Sequence, residues 1–187
     1  YADVDARARW TLRGEPALVD STSPRYGEKA SYYSGVCLET GEVEAMAVTQ
    51  NSSSQTSVAF LKQLRSRHDK PLIVIWDNGP AHRGQAIRDY LATPELNLTL
   101  VALPAYSPDF NPDESLWDWA RKEVTANICF GTAANVRHHL DAFFAGLSNR
   151  AAEVTKRCRK PLQAQADALL TAAQTNSNHV VPIVDSV

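Results

Sequence analysis

Three acidic residues stand where carboxylates can do chemistry. Asp77 directly follows the longest apolar run of the chain, Leu72-Ile73-Val74-Ile75-Trp76. Glu114 follows a loop punctuated by Pro104, Pro108 and Pro112 and opens a helix. Asp3 lies at the end of Tyr1-Ala2-Asp3-Val4, which reads as the tail of a strand. A carboxylate at the mouth of a buried strand costs least when a cation sits beside it. Two or three oxygen donors converging at strand ends suit Mg²⁺ or Mn²⁺, hard cations that keep some waters and bind phosphate oxygens. Two such ions roughly 3.5–4 Å apart activate the attacking oxygen and stabilise the leaving one in an in-line phosphoryl transfer.

Each carboxylate also has a plain structural use. Asp77 can cap the turn through Asn78-Gly79. Asn111-Pro112-Asp113-Glu114 has Asn at a helix cap, Pro at the first position and Glu at the third, where a capping-box glutamate needs no catalytic role. Asp118 lies four residues on and shares a helical face with Glu114. Trp117 and Trp119 read as helix-packing residues. Rival chemistries are poorly served, because neither GxxxxGK[ST] nor GxSxG occurs. Cys37, Cys129 and Cys158 are odd in number and contain no CxxC pair. That argues against a disulfide framework or a structural zinc and for a reducing cytosolic setting.

The elements that must hold these residues follow from pattern. Residues 30–38 and 42–49 are apolar and β-rich around Glu39-Thr40-Gly41, a hairpin. After the polar break Asn51 to Gln55, Val58, Phe60, Leu61 and Leu64 have helical spacing through about His68. The short apolar run ending at Asp77 suggests a strand buried on both faces. Residues 81–92 read as a helix and 96–103 as a strand. Helices are expected from Asp113 to about Thr125, from Ala133 to Leu147, and over 151–173 with a break near Pro161. The tail after Gln174 is expected to fray. A hairpin followed by alternating strands and helices implies an α/β fold with a mixed sheet and helices on both faces. Ligands in such sheets sit at the carboxyl ends of the central strands, where Asp77 lies.

Composition sets the outer limits. The chain has 187 residues, 44% of them hydrophobic and 21% charged, ample for a sizeable core. The five-residue run 72–76 is far short of the roughly 20 residues a membrane span needs. No N-terminal segment reads as a secretion signal, and the abrupt start at Tyr1 suggests a fragment. Nineteen Lys plus Arg against 21 Asp plus Glu leave a net charge of −2. That excludes nucleic-acid binding by bulk electrostatics alone, yet permits a nuclease whose acidic metal site offsets a basic groove.

Two long motifs narrow the reading. Ile75-Trp76-Asp77-Asn78-Gly79-Pro80-Ala81-His82 resembles the strand–DNxxxH motif of mariner-like transposases in their bacterial insertion-sequence branch. Leu103 to Trp117, LPAYSPDFNPDESLW, resembles that family's LPxYSPxLNPxExxW signature, with Glu114 placed 37 residues after Asp77. The resemblance implies an RNase H-like catalytic domain over residues 1–150, with 151–187 a C-terminal helical extension and tail. It implies an Asp-Asp-Glu triad of Asp3, Asp77 and Glu114 holding Mg²⁺ or Mn²⁺, two ions in all, that cuts transposon ends and joins them to target DNA. The partners implied are DNA and a second copy in the active complex, in the bacterial cytoplasm at the nucleoid. Asn78 and His82 would support the site or touch DNA, and Arg83, Arg121 and Lys122 would grip the substrate backbone. The first triad position departs from the family's Asp-Glu pair: Val4 follows Asp3, and Trp10 to Gly14 comes sooner than usual. Asp3 and Asp5 point to the same face of an extended strand, and the motif favours Asp3. A catalytically inactive, domesticated DNA-binding or assembly module of the same fold is the other reading. The family carries helix-turn-helix modules ahead of this domain, so the chain alone is expected to bind DNA weakly. Lys156-Arg157-Cys158-Arg159-Lys160 is either a phosphate contact or a solvated helix face.

Overall fold

The computed structural model describes residues 11, 13, 15, 18, 28–49, 51–104 and 107–177. The candidate first carboxylate, Asp3 or Asp5, lies outside the described residues, as do Trp10, Gly14 and Asp20. The hairpin forms where the turn residues place it. Strands β1 (Ser31–Val36) and β2 (Val43–Val48) pair antiparallel, with Ser31 opposite Val48 and Val36 opposite Val43. Helix α1 (Ser54–Arg67) starts at a reciprocal cap: the Ser53 hydroxyl accepts from Thr56 N–H, and the Thr56 hydroxyl accepts from Ser53 N–H at 2.8 Å. Strands β3 (Leu72–Trp76) and β4 (Leu98–Ala102) pair in parallel, joined through α2 (Gln85–Leu91). Helices α3 (Pro112–Ala120), α4 (Ala133–Gly146) and α5 (Ala151–Ser177) complete the described chain.

Alternation along β1 sorts the core into two parts. Tyr32 faces one way and packs on Trp117 and Phe144, joining a cluster built on Leu116, Trp119, Val136, Leu140, Phe143, Leu147 and Val154. Tyr33 faces the other way, stacks on Phe60 and joins Leu61, Leu64 and the inward residues Leu72, Val74, Trp76, Leu98 and Leu100. Helices therefore cover both faces of the hairpin, α3, α4 and α5 on one and α1 on the other. Trp117 and Trp119 are packing residues, as their spacing predicts. Trp119 is buried, with the Arg150 and Arg157 guanidinium groups 4.2 and 4.3 Å from its ring centre.

Several expectations need correction. Among the described residues, strand β3 is covered on one face: α1 and β2 pack on the Leu72–Val74–Trp76 side, while Ile73 and Ile75 are 72% and 60% exposed. The expected mixed α/β pattern holds, with the described strands paired as one antiparallel and one parallel two-stranded sheet. The helix expected over 81–92 is split into a 3₁₀ turn at Pro80–His82 and α2, since Gly84 takes φ +128°, which a residue with a side chain rarely adopts. The helix expected to reach Thr125 changes at Arg121 into a wide π turn ending at Thr125. Helix α5 passes through Pro161 unbroken and continues past Gln174 to Ser177. Its first half is fixed by Val154 and Cys158, both fully buried against α3, so packing outweighs the hydrogen bond that proline removes.

Candidate active site

Asp77 leaves β3 at the point where the two parallel strands are tied off. Leu103 N–H donates to the Trp76 carbonyl at 2.8 Å, and the Asn78 side-chain amide donates to the Leu103 carbonyl. Asn78 thus fastens the strand ends that carry Asp77. The capping use of Asp77 is also real: its Oδ1 accepts from Gly79 N–H at 2.7 Å. The side chain remains 56% exposed, so this turn orients the carboxylate without closing it off.

His82 backs the same oxygen. Its Nε2 lies 3.4 Å from Asp77 Oδ1, its Nδ1 lies 3.3 Å from the Ser57 hydroxyl, and its ring packs 4.5 Å from Trp76. Burial lowers the His82 pKa, and the nearby Asp77 charge only partly opposes that. The Ser57 hydroxyl donates to the Ala81 carbonyl at 2.7 Å, which fixes it beside the His82 ring. Gly79 makes this arrangement possible, because a Cβ there would lie 2.9 Å from Asp77 Oδ1 and 3.3 Å from His82 Cδ2. Gly79→Ala is therefore expected to displace the Asp77 carboxylate and weaken Mn²⁺ binding about 10–100-fold, as loss of outer support does in metal sites. Titration of Mn²⁺ by electron paramagnetic resonance checks it; unchanged affinity would show that the turn is not what orients Asp77.

Glu114 is placed by a different device. A 3₁₀ turn at Pro108–Phe110 leads to Asn111, whose side chain accepts from Asp113 N–H at 3.1 Å and caps α3. The Asn111 N–H, which a capping-box glutamate would accept, instead donates to the Pro108 carbonyl at 2.9 Å. Glu114 is exposed at the third helical position with that task already filled.

Beside Glu114 in the chain lies a residue that sequence reasoning passed over. Asp113 Oδ2 accepts from the Ser34 hydroxyl at 2.7 Å and from Trp117 Nε1–H at 3.0 Å, pinning the start of α3 to β1. Its Oδ1 is buried and unpartnered. Burial pushes the Asp113 carboxyl up to about 6, against the two donors, and the charges of Glu114 and Asp77 push in the same direction. The detectable signal was Asp followed four residues later by Trp, a pair that meets on one helical face.

These hard oxygen donors fit Mg²⁺ or Mn²⁺. Among the described residues no group of three or more His, Cys, Asp or Glu side chains is placed to hold a metal ion; the third triad residue inferred from sequence lies outside them. Of the basic candidates, Arg83 and Arg121 are exposed, while Lys122 pairs with Asp118 at 2.5 Å.

Residues 2–137 match the family described as DDE superfamily endonuclease. The chain belongs to that family. Within it, the chain is 30% identical over 144 residues to the Mariner Mos1 transposase of Drosophila mauritiana, covering 71% of this chain and 41% of that protein. The chain thus spans about two fifths of that relative's length. The Mos1 transposase paired-end complex with left transposon end superposes with a TM-score of 0.56 at 24% identity, covering 87% of this chain and 51% of that one. A Mos1 paired-end complex with Mn gives a TM-score of 0.52 at 21% identity, over 86% of this chain and 52% of that one. These likenesses establish the RNase H-like fold of this DDE-family chain and bear out the mariner-like resemblance. Among its described residues no helix is long and apolar enough to cross a membrane.

Proposed function

We propose that the chain is the catalytic domain of a mariner-like DNA transposase of the bacterial insertion-sequence branch. It acts as an endonuclease and strand transferase on transposon ends, at the nucleoid, with a second copy in the active complex. The observation that carries this reading is that each long motif delivers an exposed carboxylate at an element end: Asp77 held by the Gly79 N–H just past β3, and Glu114 on the first turn of α3 with its capping task already filled. The family match and the Mos1 complexes, one with a transposon end and one with Mn, support the substrate and the metal.

Asp77 and Glu114 supply two ligands and Asp3 the third. When bound, two Mg²⁺ or Mn²⁺ ions would activate the attacking water or 3′-hydroxyl and stabilise the leaving oxygen. The chain's own residues orient the donors: the Gly79 N–H fixes Asp77 with the His82 ring packed beside it, Asn78 ties the strand ends, and Asn111 with Asp113 fixes the start of α3. Arg83 and Arg121 face solvent as cations for phosphate.

Metal binding gives the direct test. Ligands that favour the folded chain raise its melting temperature by mass action. Mn²⁺ at 100 times its dissociation constant is expected to contribute about 2.7 kcal/mol, with most of that gain lost in Asp77→Asn and Asp3→Asn and kept in Asp5→Asn. A full gain in Asp77→Asn would remove Asp77 from the site. A normal metal response without cleavage of transposon-end DNA by the full-length protein would favour the inactive module.

A further inference from the structure

We propose that the groove between α3 and the first half of α5 binds the sugar–phosphate backbone of the DNA strand leading into the carboxylates, with Lys156 and Lys160 as its phosphate contacts. This rests on the DNA-cleaving reading above and adds a binding surface to it. The groove encloses about 560 Å³ and has Asn111 and Glu114 on its α3 wall, with Lys156 and Lys160 on its α5 wall. A strand lying along α5 therefore passes directly by Glu114.

The charges in this groove are already sorted. Glu153 is neutralised by Arg157 at 2.8 Å and Arg150 at 3.0 Å, and Asp118 is paired with Lys122. Arg157 is doubly committed, since its guanidinium also lies over the Trp119 ring. Asp109 stands on the groove lining near the Pro108 turn. Lys156 and Lys160 are exposed, and among the described residues no ion pair is found for either. They lie four residues apart on one helical face, about 6 Å along the axis, close to two nucleotide steps at about 3.4 Å per strand. A chain of net charge −2 that presents Asp77 and Glu114 to a polyanion needs local cations beside them. The cluster at 156–160 is thereby divided by role: Arg157 holds the fold and the two lysines hold substrate.

Fluorescence anisotropy with a labelled DNA duplex of arbitrary sequence, in EDTA across a salt series, tests this. Losing two phosphate contacts lowers the slope of log K against log salt by about 1.8. The double variant Lys156→Ala/Lys160→Ala is expected to show that loss with weaker binding and an unchanged melting temperature. Lys156→Arg/Lys160→Arg should keep the slope. Lys62→Ala/Lys70→Ala, the same charge change outside the groove, should lose less. An unchanged slope in the first variant, or an equal loss in the last, overturns the groove. Mn²⁺-dependent cleavage of transposon-end DNA by the full-length protein separates the two readings. Cleavage retained with an unchanged slope sinks the groove alone. Loss of slope when the full-length protein never cleaves DNA supports the groove and sinks the catalytic reading. Absence of any DNA binding overturns the groove outright.

Discussion

Glu114→Gln is expected to reduce divalent-metal-dependent cleavage of transposon-end DNA by about a thousandfold or more, with stability close to that of the unsubstituted protein. A bound metal contributes several kcal/mol to a phosphoryl transition state, and each 1.4 kcal/mol is about tenfold in rate. Gln keeps the shape of Glu but is a far poorer ligand for a hard cation. The helix end itself loses little. Asn111 caps Asp113 N–H, and the Asn111 N–H is held by the Pro108 carbonyl. What remains is the attraction of the carboxylate for the positive end of α3, about 0.3–1 kcal/mol at an exposed site. Cleavage by the full-length protein, measured beside thermal melting, separates the two roles. A drop of several degrees with cleavage retained would return Glu114 to a capping role and break the catalytic assignment.

Elements whose sequence signals were local were legible. The Glu39-Thr40-Gly41 break marks the hairpin turn, the polar run before Gln55 supplies the Ser53 cap, and Val136, Leu140, Phe143 and Leu147 face one core. The two carboxylates were legible because each ends or opens an element beside turn residues. Features decided across the chain were not. An apolar run cannot say which face of β3 α1 and β2 will cover, so the exposure of Ile73 and Ile75 was invisible. Pro161 breaks an isolated helix, but Val154 and Cys158 lock this one against α3 from a distance the local pattern does not reach. Asp113 was hidden for the same reason. Its significance comes from Ser34, 79 residues earlier, and no spacing rule links a strand hydroxyl to a helix carboxylate.

Asp113→Asn is expected to stabilise the metal-free chain at pH 7.5 and to lose that advantage as the pH falls. Asp113 has its carboxyl raised from 3.8 to about 6, first by burial. An acid whose pKa is raised on folding binds its proton more tightly in the folded state. Between about pH 4 and pH 6 the folded chain therefore carries more protons than the unfolded one, and stability rises as pH falls. The roughly two-unit difference amounts to about 3 kcal/mol of penalty above pH 6 that is absent below pH 4. Asn removes the charge while its carbonyl still accepts from Ser34 and Trp117. Its amide replaces the unpartnered Oδ1 with buried donors, which returns about 1–3 kcal/mol of cost. The net gain at pH 7.5 is thus at most about 2 kcal/mol, shrinking through pH 6 and reversing near pH 4. Denaturant midpoints of both proteins across that range measure it, and carboxylates common to both cancel in the difference. A cation held by Asp77 and Glu114 favours the ionised Asp113, so Mn²⁺ is expected to narrow the gap at pH 7.5. A gap independent of both pH and Mn²⁺ would mean that the Asp113 carboxyl does not feel the site beside it.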